Sequence, residues 1–191
     1  MEIEKIELIH QGKYISYYEA SYKLDSGHIK KYELVSRNPS LTTKTLGRGR
    51  IEGVGLVPFS ENHEKIILQK EYRLSCNDWV YTFPAGIIDA GEEVSVAAKR
   101  ELKEETGVDL IKVIDILPAC FTCQGFSDEL MEIVICEAKG NVRNSLDEAE
   151  VIEANWYSKE DVRKLFDLKV KMSVRTQMFL WCWLNQKERQ N

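Results

Sequence analysis

The first 38 residues alternate between apolar and polar positions in the manner of strands. Ile3, Ile6 and Leu8, then the run Tyr14 to Leu24, are rich in β-branched and aromatic side chains. Asp25-Ser26-Gly27-His28 is a turn signal, and Tyr32 to Val35 resumes a strand. Pro39 and Ser40 open a polar connection. They mark a boundary between an N-terminal antiparallel β subdomain, residues 1–38, and a main domain, residues 39–191.

Short apolar runs follow at Val54 to Val57 and Ile66 to Leu68. The polar Ser60-Glu61-Asn62-His63 separates them, which predicts a hairpin. Val80 to Phe83 is another strand and ends at Pro84-Ala85-Gly86. Residues 93–106 form the clearest helix, free of Gly and Pro and closed by Gly107. Strands are expected at about 110–117, 130–138 and 151–157. Ser158 with Asp161 opens a helix to about Leu168 through a capping-box pattern. A last helix covers about 172–186.

Composition narrows the class. The chain has 191 residues, 43% hydrophobic and 30% charged, enough to bury a core and exclude wholesale disorder. A net charge of −5 argues against a broad nucleic-acid binder. The apolar stretch Met178 to Leu184 is far shorter than the roughly 20 residues a bilayer requires. The start, Met1-Glu2-Ile3-Glu4-Lys5, lacks the pattern of a signal peptide. Five cysteines, an odd number, read as reduced thiols. The expectation is a cytoplasmic protein with no membrane and no nucleic-acid partner.

The helix at 93–106 is unusual for a core helix. At 100° per residue Val94, Ala97, Ala98 and Leu102 share one arc, while Ser95, Lys99, Lys103 and Thr106 fall on the solvated side. Glu101, Glu104 and Glu105 lie on or at the edge of the apolar arc, at i, i+3 and i+4. On an arbitrary helix such a stripe is a solvated acidic face. Here the alanines one turn earlier suggest close packing against a strand, and clustered carboxylates resist desolvation. A divalent cation reconciles the two, because hard cations take several carboxylate oxygens from one side.

Gly86, Glu92, Arg100, Glu101, Leu102, Glu104, Glu105, Gly107 and Val108 fit the pattern G-x5-E-x7-R-E-U-x-E-E-x-G-U, with U aliphatic. Residues 86–108 resemble a complete Nudix box, matched at every fixed position. The resemblance implies a Nudix fold of the α/β (α+β) class, a mixed sheet sandwiched between helices. It implies Mg²⁺ or Mn²⁺ held by Glu101, Glu104, Glu105 and the carbonyl of Ala85. Gly86 frees the backbone for close approach. Arg100 orients Glu104, with both counted among the catalytic groups, and Glu92 pairs with the arginine from the loop.

The flanks resemble the ADP-ribose pyrophosphatase branch. Gln69 to Arg73 is similar to its strand that ends with glutamine and arginine. Phe83-Pro84-Ala85-Gly86 matches its run into the box, and Gly125 to Glu129 resembles its G-x-S/C-D-E segment. Two positions depart: Thr82 stands where the branch usually has Glu, and Gln124 where it tends to have Pro. The resemblance implies a homodimer in which residues 1–38 exchange and help build the nucleotide pocket. It puts the general base on the acidic loop 144–150, at Glu148 or, second, Glu150. Arg73, Arg37, Tyr14 and Glu129 are the candidate substrate contacts. The bland alternatives are a solvated acidic turn for the loop, a surface ion pair for Arg73, and strand packing or exposure for Arg37 and Tyr14.

Cys120-Phe121-Thr122-Cys123 is a single CxxC with no further ligands at metal spacing. Met178, Phe179, Trp181, Cys182 and Leu184 read as the buried face of the last helix. The expected function is metal-dependent hydrolysis of a nucleoside diphosphate sugar, with ADP-ribose to AMP and ribose 5-phosphate leading. The rivals are GDP-mannose or another nucleoside diphosphate derivative, and a non-catalytic nucleotide-binding regulatory module.

Overall fold

The computed structural model describes residues 1–144 and 151–186. It divides into two compact units. One comprises Met1–Gly53 and Pro118–Glu132, the other Val54–Leu117 and Ile133–Asn191.

The first unit holds β1 (Glu2–Gln11), β2 (Ser16–Lys23) and β3 (Ile29–Ser36) in an antiparallel sheet of order β1-β2-β3. Gly27 adopts φ 85° in the turn between β2 and β3, where a side chain would be strained. Alternation buries Tyr18, Ala20 and Leu34, which pack with Leu41 into a small core. The Tyr18 hydroxyl is kept satisfied by donating to the Asn38 carbonyl at 2.7 Å. Leu8, Ile9 and Ile29 stay exposed on this unit.

A seven-stranded sheet of order β10-β5-β4-β9-β8 supplies most of the strands of the second unit. Its members are β4 (Gly53–Phe59), β5 (Lys65–Arg73), β6 (Asp78–Thr82), β7 (Ala85–Ile87), β8 (Asp109–Phe121), β9 (Leu130–Lys139) and β10 (Ile152–Ser158); β6 pairs with β5, and β7 with β4. Successive residues of β5 serve opposite faces. Ile66 and Leu68 join Val162 and Leu165 of α2 (Lys159–Asp167) and Leu180 and Trp183 of α3 (Val174–Asn185) in one core. Gln69 points the other way, to α1 (Val94–Thr106). Helices therefore cover both faces, as the resemblance implied. The Ser158–Asp161 capping box starts α2 with both reciprocal bonds present.

Four expectations change. Strand β8 runs on to Phe121 through Pro118. It is the terminal strand of its sheet, where a missing N–H costs no ladder bond. The three-residue β7 was not foreseen, because three residues carry no readable period. Thr106 is fully buried rather than solvated. Its hydroxyl donates to the Leu102 carbonyl at 2.6 Å and accepts from the Val108 N–H, so burial leaves nothing unpaired. In α3 the inward face is Thr176, Leu180 and Trp183, while Met178, Trp181 and Cys182 are exposed. The helix rolls inward on Thr176 because that hydroxyl accepts the Phe83 N–H at 3.1 Å.

Candidate active site

Helix α1 follows the β7 strand and packs against it. Its small Ala97 and Ala98 are fully buried and permit close approach. Gly107 ends the helix at φ 74°, its N–H on the Lys103 carbonyl. Gly86 is required by contact rather than by φ. A Cβ there would sit 1.9 Å from Cδ of Glu101, so only glycine admits that carboxylate against the backbone.

Arg100 organises the acidic face. It donates through Nε and Nη2 to the two carboxylate oxygens of Glu92, at 3.0 and 2.8 Å. Nη1 reaches Glu101 at 2.7 Å and Glu104 at 3.3 Å, and Nη2 also meets the Ile87 carbonyl. Bonding to Glu92, then to Glu101, holds the guanidinium above its ordinary pKa despite partial burial. The same bonds hold Glu92 below the usual carboxylate range.

Glu105 is the buried member, 8% exposed. Gln69 Nε2 donates to its Oε2 at 2.7 Å, and the Ala85 N–H donates to the same oxygen at 3.1 Å. Burial, with the nearby charges of Glu101 and Glu71, nevertheless pushes its pKa up to about 8. Glu104 is the most exposed of the three helix carboxylates. Among the described residues no three acidic, His or Cys side chains form a finished metal-ligand cluster. Glu101 and Glu104 turn to Arg100, the cation within reach, and Glu105 turns to Gln69. The donor chemistry still fits a hard cation. All donors are oxygens, Glu105 is buried against like charge, and the exposed Glu104 is able to swing.

A cleft of about 220 Å³ adjoins Glu105. Its walls include Gln69, Glu71, Arg73, Thr82, Ser173 and Arg175. Arg73 lies in the cleft as an ion pair with Glu71. Gln69 was visible in the sequence only as the first residue of the strand segment Gln69 to Arg73, and its bond to Glu105 is new. Arg175 had no sequence signal, since it lies some seventy residues from the box.

The remaining candidates fall elsewhere. Arg37 pairs with Glu129 at 2.8 Å in the first unit, and Thr122 also donates to Glu129. Tyr14 is exposed, with Lys13 Nζ 4.9 Å from its ring centroid. A second cleft of about 220 Å³ in the first unit is lined by Tyr22, Tyr32, Phe121, Phe126 and Asp128 among others. Glu148 and Glu150 lie outside the described residues. Cys120 and Cys123 are free thiols, as are the other three cysteines.

The NUDIX domain family matches residues 49–177. The chain belongs to the Nudix family. It is 30% identical over 172 residues to an ADP-ribose pyrophosphatase of Bacillus subtilis, covering 89% of this chain and 85% of that protein. A putative Nudix hydrolase 2 of Caenorhabditis elegans is 31% identical over 150 residues, covering 78% of this chain; the chain spans 65% of that relative's length. A crystal structure of an ADP compounds hydrolase superposes with a TM-score of 0.70 at 20% identity, over 96% of this chain and 95% of the other, a likeness of fold. The Nudix box thus runs from Gly86 on β7 through the connecting residues 88–93 to α1, which carries Glu101, Glu104 and Glu105 and ends at Gly107.

Proposed function

We propose that this Nudix protein hydrolyses the pyrophosphate bond of a nucleoside diphosphate sugar, with ADP-ribose giving AMP and ribose 5-phosphate as the leading reaction. The observation that carries the reading is the junction at Glu105. A buried carboxylate on the box helix borders a cleft that presents Arg73. Carboxylates suit a cation, and an arginine beside them suits the phosphates that a cation bridges.

Glu101, Glu104 and Glu105, with the Ala85 carbonyl, would hold Mg²⁺ or Mn²⁺. Bound there, the ion would neutralise phosphate charge and lower the pKa of water. The chain's own groups do the rest. Arg100 keeps Glu101 and Glu104 oriented from a bidentate anchor on Glu92. Gln69 and the Ala85 N–H fix one oxygen of Glu105 and leave the other for a ligand. Arg73 would trade Glu71 for a substrate phosphate. Glu148, or else Glu150, would take the proton from the attacking water.

Arg37 and Tyr14 are candidates to reach a partner subunit's pocket, the tyrosine by stacking on the base, and Glu129 is a further candidate substrate contact. The exposed Leu8, Ile9 and Ile29 support a homodimer in which residues 1–38 pack against the partner. Among the described residues no helix is long and apolar enough to cross a membrane. With five free thiols, this supports a cytoplasmic setting. The test is hydrolysis of a panel of nucleoside diphosphate sugars with Mg²⁺ and with Mn²⁺, with AMP and ribose 5-phosphate quantified.

A further inference from the structure

Gln69 is the one polar residue in the buried stretch of β5. Ile66, Ile67 and Leu68 before it are fully buried, and Gln69 itself is 1% exposed. Burying an amide is unfavourable unless its hydrogen bonds are made inside. Methionine would fill the same volume without that cost. Packing alone therefore does not account for a glutamine here.

The sheet sets where its amide goes. Register puts Thr82 of β6 directly opposite Gln69 on one side and Ala154 of β10 on the other. Opposed residues share a face of the sheet. Both neighbours are small and buried, so the long side chain extends between them toward α1. Neither neighbour carries a charge that would compete for the amide. The Thr82 hydroxyl is already engaged with the Phe83 carbonyl and the Ser173 hydroxyl. The carboxylate of Glu71, on the same cleft wall, is held by Arg73. Gln69 Nε2 donates instead to Oε2 of Glu105 at 2.7 Å, and the Ala85 N–H donates to the same oxygen at 3.1 Å. A carboxylate oxygen has about two lone-pair sites, so Oε2 is filled and Oε1 is left to face a cation.

We propose that Gln69 is a positioning residue that makes Glu105 a one-oxygen ligand of the divalent cation by occupying its other oxygen. The proposal rests on the reading of this site as the metal centre of a pyrophosphatase. Ala85 belongs to the same unit, since its N–H holds Glu105 and its carbonyl is a candidate ligand. With Oε2 fixed from a rigid strand, Glu105 does not have to be ordered when the ion arrives. Removing a partner that holds a metal ligand costs about tenfold to a hundredfold in metal affinity or activity.

The test is Mn²⁺ titrated into the nucleotide-free protein, with the free ion read by electron paramagnetic resonance, for wild type, Q69M and Q69A. Methionine keeps the volume and removes the donor. Alanine leaves space that opens on the cleft of about 220 Å³, where water can satisfy Glu105, so the fold is kept. Thermal melts in chelator establish folding first. Q69M should bind Mn²⁺ about tenfold to a hundredfold more weakly, and Q69A about tenfold. In steady state the half-saturating Mg²⁺ concentration should rise in step, with KM for ADP-ribose at saturating Mg²⁺ within about threefold of wild type. A role in packing alone would move the melting temperature and leave metal affinity unchanged. Mn²⁺ affinity within about twofold of wild type in a folded variant overturns the proposal. In an E105Q background, Q69M should add less than about twofold, because the amide acts through that carboxylate; a full further loss also overturns it. If the wild type binds Mn²⁺ but hydrolyses no nucleoside diphosphate sugar, the pyrophosphatase reading fails and the Mn²⁺ titration still decides Gln69. A wild type that binds no Mn²⁺ overturns both.

Discussion

Replacing Gly86 by alanine separates folding from function in a way the geometry makes quantitative. The three atoms nearest a Cβ at position 86 are Cδ, Oε1 and Oε2 of Glu101, at 1.9, 2.1 and 2.2 Å. No such approach is tolerable, so something must move. All three belong to the far end of a flexible side chain, and none to backbone. Glu101 therefore swings out and gives up its 2.7 Å bond from Arg100. Arg100 keeps its bidentate anchor on Glu92. One charge-assisted bond of a partly exposed pair is worth about 1.5 kcal/mol. Gly→Ala returns about 0.4–1 kcal/mol through the unfolded chain. The net cost is about 1 kcal/mol, a drop of roughly 2–4 °C in Tm for a chain of this size. Activity should fall far more, by about two decades or more in kcat, because a carboxylate proposed to hold the metal would be displaced. Thermal melts and steady-state kinetics on G86A suffice. Turnover within about threefold of wild type would mean that the close approach of Glu101 to β7 has no catalytic meaning. Loss of the fold would mean that the side chain cannot absorb the clash.

Glu105→Gln should lower kcat by roughly two decades while keeping the bonds from Gln69 and Ala85. In chelator the same variant removes a pH dependence. The proton of Glu105 is held up to about pH 8 in the folded chain against about 4.5 unfolded, so its stabilising share is complete below pH 4.5 and is lost as pH rises to 8. That interval corresponds to at most about 5 kcal/mol, and denaturant melts from pH 5 to 9 should decline for wild type and stay flatter for E105Q. Glu148→Gln, or failing it Glu150→Gln, should cut kcat by about tenfold or more with KM nearly unchanged; if neither does, the base is not on that loop. Sedimentation at micromolar concentration should give a dimer, and a monomer would remove the role of residues 1–38 in association.

The carboxylate pattern of α1 was legible because helical spacing and the glycines at 86 and 107 are local features. The Arg100–Glu92 pair was legible for the same reason, being eight residues apart. What the sequence could not reveal depends on the sheet. Gln69 reaches Glu105 because it faces α1 while Ile66 and Leu68 face α2 and α3, a choice set by strand pleat and register. Arg175 enters the cleft only because Thr176 and Ser173 bind α3 to the strand before the box. The burial of Thr106 was misread because a hydroxyl counts as polar on a wheel, yet a back-bond to Leu102 satisfies it inside. In α3 every position from Met178 to Leu184 is apolar or aromatic, so hydrophobicity alone did not choose the face. The tether at Thr176 did.

The most direct test of the central claim is incubation of the protein with ADP-ribose and Mg²⁺, with both products measured. The account predicts AMP and ribose 5-phosphate in equal amounts, faster than products from GDP-mannose, and none once the metal is chelated. Binding of ADP-ribose with no hydrolysis of it, or of any nucleoside diphosphate sugar in the panel, under Mg²⁺ or Mn²⁺ would contradict it and leave a nucleotide-binding module in its place.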